Sequence, residues 1–229
     1  MGHGNLPCGR WRVFGRVSMK NIYIVGAGRF GREVHAWLRD WCRVNPGWFI
    51  AGFVNDVATA LDPYPGLPPI VSTIDGFEPQ PDTWLVCAIS DPIGKKDVIQ
   101  RLRRKGVSFL TLIHPSVVMG ERVKIGEGVV ICPHTVVSSD LEIGDFVIIN
   151  SICTIGHDTS IGMYSTLSGH CDVTGGVVLE EGVFMGSHAV VLPRGHVAQY
   201  ASVGAGSVVL RNVAPRSTVF GVPAKRISG

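Results

Sequence analysis

IGDFVIINSICTIGHDTSIGMYSTLSGHCDV, residues 143–173, carries an aliphatic residue at every sixth position: Ile143, Ile149, Ile155, Ile161, Leu167 and Val173. The spacing continues in both directions without insertion or deletion. It runs back through Val137, Ile131 and Ile125 to Met119, and forward through Leu179, Met185, Val191, Val197 and Val203 to Val209. A fixed internal period is the mark of a solenoid. Glycine follows the aliphatic at Gly120, Gly126, Gly144, Gly156, Gly162, Gly186 and Gly204. Four residues after the aliphatic the side chain is small, as at Thr135, Cys153, Ser165, Ala189 and Ala201. Six residues make a short strand plus a turn, and three such units make a triangular coil whose inward side chains stack on the coil below. Sixteen units predict about five coils, stabilised by stacking because no single coil can bury its own apolar face. Residues 18 apart become vertical neighbours, which sets Cys153 over Cys171 and His170 over His188.

Upstream of His114-Pro115 the period is different. Asn21–Val25 reads as a buried strand ending at glycine, and Gly31 to Val44 as a helix with Val34, Trp37, Leu38 and Trp41 on one side. Phe49–Val54 and Thr83–Ile89 read as further strands, Lys95–Lys105 as a basic helix with Val98, Ile99 and Leu102 inward, and Ser108–Leu112 as a closing strand. Strands alternating with helices predict a small Rossmann-like parallel α/β sheet over residues 19–113, followed by the all-β solenoid over residues 114–229. The Pro-rich loop at 62–69 stays outside that sheet. Residues 1–18 carry three arginines and no apolar core, so they are no secretory signal and read as a disordered extension.

Composition narrows the class. The chain has 229 residues, 45% hydrophobic and 17% charged, with net charge +3, which excludes disorder and points to no nucleic-acid surface. No window approaches the ~18 apolar residues of a membrane span. The six cysteines form no C-x-x-C pair, so they read as reduced, buried thiols of a cytoplasmic protein, and no metal site is expected.

The hexapeptide run, the GAGRFG segment at 26–31, NSICTIGHD at 150–158 and GVPAKRI at 221–227 together resemble the sugar O/N-acyltransferases of the sialic acid O-acetyltransferase and bacillosamine-pathway N-acetyltransferase type. The resemblance implies a left-handed parallel β-helix, a homotrimer, acetyl-coenzyme A between the β-helices of adjacent subunits, and a nucleotide-sugar acceptor held by the N-terminal domain. Acetyl transfer needs the nucleophile deprotonated as it attacks, and histidine suits that task near neutral pH. His157, in an Ile-Gly-His-Asp context, matches the family's general base, with Asp158 placed to orient it and Asn150 near donor and acceptor. Where relatives carry a second histidine this chain has Thr166, with His170 four residues on.

Gly175, one coil after His157, would expose a backbone amide to the thioester oxygen. Gly204-Ala205-Gly206 would allow close approach of the coenzyme, with Ser187 between them, and Lys225 could meet its 3′-phosphate. His35 reads as a half-exposed surface residue, His114 as a linker residue, His134, His170 and His188 as solvent-facing corner residues, and His196 as outward on a flat face.

Gly26, Gly28 and Gly31 make a G-x-G-x-x-G loop between strand and helix, an anion site. In the family this loop, with Asn55 and Asp56, holds the nucleotide sugar; here Arg29 could bind a phosphate, and Ser90-Asp91 leads into the basic helix. A dehydrogenase would need a larger dinucleotide domain and a hydride-transfer site that the repeat leaves no room for. The leading expectation is an acetyltransferase acting on an amino group, 4-amino by preference, of a nucleotide-linked sugar. O-acetylation of a sialic acid or other sugar hydroxyl, and a serine-type small-metabolite acetyltransferase, stay open. A γ-type carbonic anhydrase lacks its His-x4-His pair, and a non-enzymatic scaffold leaves His157-Asp158 and Asn150 unexplained.

Overall fold

The computed structural model describes residues 19–228; the expected N-terminal extension, residues 1–18, lies outside them. The first part is a five-stranded parallel sheet with two helices. In chain order it holds β1 (Lys20–Val25), α1 (Arg29–Val44), β2 (Trp48–Val54), β3 (Ile70–Ser72), β4 (Thr83–Cys87), α2 (Pro92–Arg103) and β5 (Ser108–Phe109), with strand order β3-β2-β1-β4-β5. The short strand β3 follows the proline-rich loop and adds to the sheet edge, and it had no period of its own to reveal it. Two helix bounds differ from the sequence reading. Helix α1 begins at Arg29, inside the glycine loop, and α2 begins at Pro92, because Asp91 Oδ2 accepts the Gly94 N–H at 2.6 Å and proline suits the first turn.

From Leu112 the chain winds into a parallel β-solenoid of the left-handed β-helix type with three faces. The first face runs from Leu112–Ile113 through Val130–Ile131, Ile148–Ile149, Thr166–Leu167, Phe184–Met185 and Ser202–Val203 to Thr218–Phe220. The second runs from Val118–Met119 to Val208–Val209, and the third from Val123–Ile125 to Asn212–Val213. Seven parallel strands on one face and six on each of the others make a prism longer than five coils. The period ends at Val209 for a structural reason. His196 pairs with Asn212 and Ser202 with Thr218, 16 residues apart instead of 18, so the last coil is two residues shorter and the fixed spacing loses it while the stacking continues.

The predicted inward layers are the core. Ile131, Val137, Ile149, Leu167, Val173, Met185, Val197 and Val203 are all at most 1% exposed. The small residues beside them also hold the coils together: Thr135 Oγ1 donates to Asn150 O (3.1 Å), Cys153 Sγ to Ser168 O (3.2 Å), Ser165 Oγ to Glu180 O (3.0 Å) and Cys171 Sγ to Gly186 O (3.2 Å). Corners turn through a left-handed backbone: His134, Asp140, Phe146, Ile152, Asp158, Tyr164, His170 and His188 all have φ between 56° and 61°. Side chains pay a steric penalty there, but the backbone N–H at each corner is satisfied by the coil before it, as Phe146 N–H is by Glu127 O at 2.9 Å.

The α/β unit sits on the first face and one corner. Val130, Cys132 and Ile148 join Ile22, Leu38 and Phe53 in one core, while Phe146 and Tyr164 join Ile99, Leu102 and Phe109 in another. Phe146 stacks on Tyr164 with ring centroids 5.7 Å apart and meets Phe109 edge-on at 4.9 Å. His35 departs from expectation. It is 8% exposed and packs toward Phe53, because the inward stripe of α1 takes in Gly31, Val34, His35 and Leu38. Burial, helped by the Arg39 charge, lowers its pKa.

Candidate active site

Three loops meet at the carboxyl ends of the parallel strands. Val25 lies level with Val54 on one side and Cys87 on the other, so Gly26–Gly31, Asn55-Asp56 and Ser90-Asp91 emerge together. The strand order reverses at β1, the switch point at which open α/β sheets bind ligands. Gly26 has φ +99° and donates its N–H to Val54 O at 2.9 Å. A Cβ on Gly31 would fall on the Gly26 carbonyl, so the helix can start this close to the strand only with glycine there. Several predicted binders shape the loops themselves. Asn55 Oδ1 accepts from Ala27 N–H (3.1 Å) and its Nδ2 donates to Val57 O (2.9 Å), while Asp56 Oδ1 accepts from Ile74 N–H (2.8 Å). Gly28 and Arg29 are exposed at the start of α1, Gly28 with no atom near its missing side chain.

His157 stands at the corner between the second and third faces. Its Nδ1 is 2.7 Å from Asp158 Oδ2, and both side chains are 68% exposed. With Nδ1–H donating to the carboxylate, Nε2 carries the lone pair. A Cβ on Gly175 would stand 2.7 Å from that Nε2, so the imidazole lies in the space a side chain would fill. Gly176 N–H donates to His157 O at 2.8 Å, fixing the two coils in register. One coil earlier, Arg122 grips Asp140 at 2.5 and 2.8 Å and holds its carboxyl below the usual range.

The other predicted residues lie elsewhere on the prism. Asn150, Ser187, Gly204 and Ala205 line the corner between the first and second faces, where Asn150 Oδ1 accepts from Ser151 N–H at 2.8 Å. One chain therefore does not bring them to His157. Thr166 is on the first face, 3% exposed beneath α2, and accepts a hydrogen bond from Lys95 Nζ at 2.8 Å. Lys225 is exposed in Lys225–Ser228, a strand antiparallel to the last strand of the first face.

Two features had no sequence-level reading. Lys95 is fully buried, donates also to Ser165 O at 3.1 Å, and burial pushes its ammonium down to about 7 against the raising influence of Cys87 and Asp91. Lys96 meets Glu181 Oε1 at 2.6 Å and Tyr200 Oη at 3.0 Å beside a cavity of about 400 Å³ lined by Asp91, Ile93, Phe184, Tyr200 and Ser202. The stacking of Tyr200 over Gly182, 18 residues apart, was the signal available for the second.

Homologues and structural neighbours of the chain include bacterial sugar N-acetyltransferases. In particular, the chain is 32% identical over 117 residues to UDP-N-acetylbacillosamine N-acetyltransferase of Bacillus subtilis (strain 168), a match covering 49% of this chain and 51% of that protein. The chain thus spans about half the length of that curated relative. Among solved structures it is similar to PerB from Caulobacter crescentus in complex with CoA and GDP-perosamine, with TM-score 0.79 and 29% identity over 92% of this chain and 98% of that one. It is also similar to WeeI from Acinetobacter baumannii AYE, with TM-score 0.78 and 26% identity over 91% and 100%. No protein-family model matches the chain. Among the described residues, no helix is long and apolar enough to cross a membrane.

Proposed function

We propose that the chain transfers the acetyl group of acetyl-coenzyme A directly to an amino group, by preference the 4-amino group, of a nucleotide-linked sugar, with His157 as general base. The observation that carries this reading is the His157 ring against Gly175 with Nδ1 held by Asp158. Similarity to a bacillosamine N-acetyltransferase and to PerB, which was crystallised with CoA and GDP-perosamine, supports donor and acceptor class.

The amine attacks the thioester carbonyl as a free base. As the C–N bond forms, its proton passes to His157 Nε2, and the Asp158 carboxylate stabilises the imidazolium. The carbonyl oxygen takes up negative charge beside the Gly175 amide. Collapse breaks the C–S bond, and the imidazolium returns the proton to the departing thiolate. The glycine loop, with Arg29, binds the acceptor's phosphates at the α1 N-terminus, and residues 19–113 act as the acceptor domain on the catalytic solenoid of residues 114–229.

Because His157 and Asn150 lie at different corners, a complete site is supported only where two copies meet, in a homotrimer. The ends of the second face's outward column suit such burial: Val118 and Val136 are 63% and 44% exposed there, and the column runs on through Thr154 and Asp172 to Val190 and Val208. The test is to offer acetyl-coenzyme A with UDP-, GDP- and CMP-linked amino sugars and free sialic acid to the wild type and to His157→Ala, reading products by mass. An acetylated nucleotide amino sugar, lost in the variant by at least about 100-fold, is the expected result. Acetylation of sialic acid alone would make it an O-acetyltransferase, and turnover indifferent to His157 would remove the base.

A further inference from the structure

Strand β3 covers only part of the sheet edge that β2 presents. It pairs with Phe53 and Val54 alone, which leaves residues 48–51 as the outermost strand segment on that side. The chain cannot extend the cover itself. Pro68 and Pro69 precede β3, and neither has an N–H to give to a ladder. The open segment is held stiffly from behind. Trp48 meets Trp41 and Trp84 edge-on, with ring centroids 5.4 and 5.5 Å apart, and Lys20 Nζ lies 4.6 Å from its ring centroid. An edge ordered in advance loses little freedom when something pairs with it.

A groove follows that edge between α1 and the proline-rich loop. Two joined hollows of about 430 and 630 Å³ share His35, Arg39, Phe49, Ile50 and Pro68 in their walls. Phe49 is 56% exposed there. The rim is cationic. Arg43 is paired with Asp40, but Arg39 is exposed and has no ion pair among the described residues. Its charge reaches into the groove, where it adds to burial in lowering the pKa of His35.

We propose that residues 48–51 form a docking edge on which an extended, acidic segment of a partner protein adds as a further strand, with its carboxylates toward Arg39. In strand addition of this kind backbone pairing supplies affinity, and pockets for alternate side chains supply selectivity. The unpaired edge calls for an extended chain, the groove for apolar side chains along it, and Arg39 for negative charge among them. A second copy of this chain fits worse, because two like edges would bring two cationic rims together. The edge lies at the amino end of β2, opposite the carboxyl ends from which the glycine loop emerges, so a strand added there leaves that crevice open.

Calorimetry and amide hydrogen exchange on the full chain test this with three end-blocked peptides. One alternates valine and glutamate, one alternates valine and lysine, and one is a fully N-methylated copy of the first. The valine–glutamate peptide is expected to bind and to slow amide exchange within residues 48–51. The other two should bind at least about 10-fold more weakly, since one lacks the negative charge and the other the N–H donors. Arg39→Glu, a substitution at an exposed position, should reverse the order of the two charged peptides. Exchange at residues 48–51 indifferent to the valine–glutamate peptide, equal binding of its N-methylated copy, or an order unmoved by Arg39→Glu overturns the proposal. So does exchange there that slows with protein concentration alone, which would make a second copy the occupant.

Discussion

The Lys95 ammonium lies 2.8 Å from the Thr166 hydroxyl, with no solvent reaching either the lysine or the contact. This joins α2 to the first face of the prism through a buried charge. Burial depresses the folded-state pKa to about 7, whereas the unfolded chain titrates near 10.4. Between those values the unfolded state binds more protons, so stability rises with pH. Lys95→Met removes that slope. Denaturant unfolding at pH 6, 8 and 10 should show the wild type gaining on the variant by roughly 2–5 kcal/mol across the series. A constant difference would mean that the lysine stays charged throughout.

Gly175→Ala probes the base without touching it. The new methyl would stand 2.7 Å from His157 Nε2, and the exposed ring must swing away. Turnover should fall by about 10- to 100-fold with melting temperature nearly unchanged. An active variant would mean that the ring works from another rotamer.

Asp158→Asn keeps the shape of the pair and removes the charge that stabilises the imidazolium. The kcat should drop less than in His157→Ala, by about 10-fold, with KM for the donor little altered. Equal losses in both variants would give Asp158 a role of its own.

Gly31→Ala strikes the other substrate. Its methyl meets the Gly26 carbonyl, backbone that cannot swing aside, so the loop must open. Nucleotide-sugar affinity should fall by at least about 10-fold while CoA binding, measured separately, holds. Joint loss of both would show that the two parts do not act independently.

Phe146→Ala removes the ring shared by α/β unit and prism. With Phe146 fully buried between Phe109 and Tyr164, the cost should be about 3–5 kcal/mol in chemical unfolding. A small effect would mean that the unit docks mainly through the Val130–Ile148 side.

The prism was legible because its aliphatics obey one spacing from Met119 to Val209, and from Ile131 on each is buried where that spacing put it, while Met119 on the opening coil is 36% exposed. The final coil escaped because it is two residues short. The left-handed corners were equally hidden. The residues that turn there include Ile152, Phe146 and Tyr164, none of which advertises a positive φ as glycine would. His157, Asp158 and Gly175 were readable as a group, since a residue and its neighbour 18 positions on must touch. Lys95 was not, because a lysine on a basic helix reads as solvated until the partner face is known. Neither was the strand Lys225–Ser228, whose reversal follows a turn outside the period.

That reversed strand has a consequence for association. A stack of parallel strands ends in a row of free N–H and C=O groups, and such an edge recruits any similar strand that meets it. On the first face the row is taken up by Lys225–Ser228, running the opposite way and presenting Lys225 and Arg226 to solvent. A second prism approaching end-on meets a strand of reversed polarity that carries two exposed cations, charge of the kind that disfavours edge-to-edge pairing.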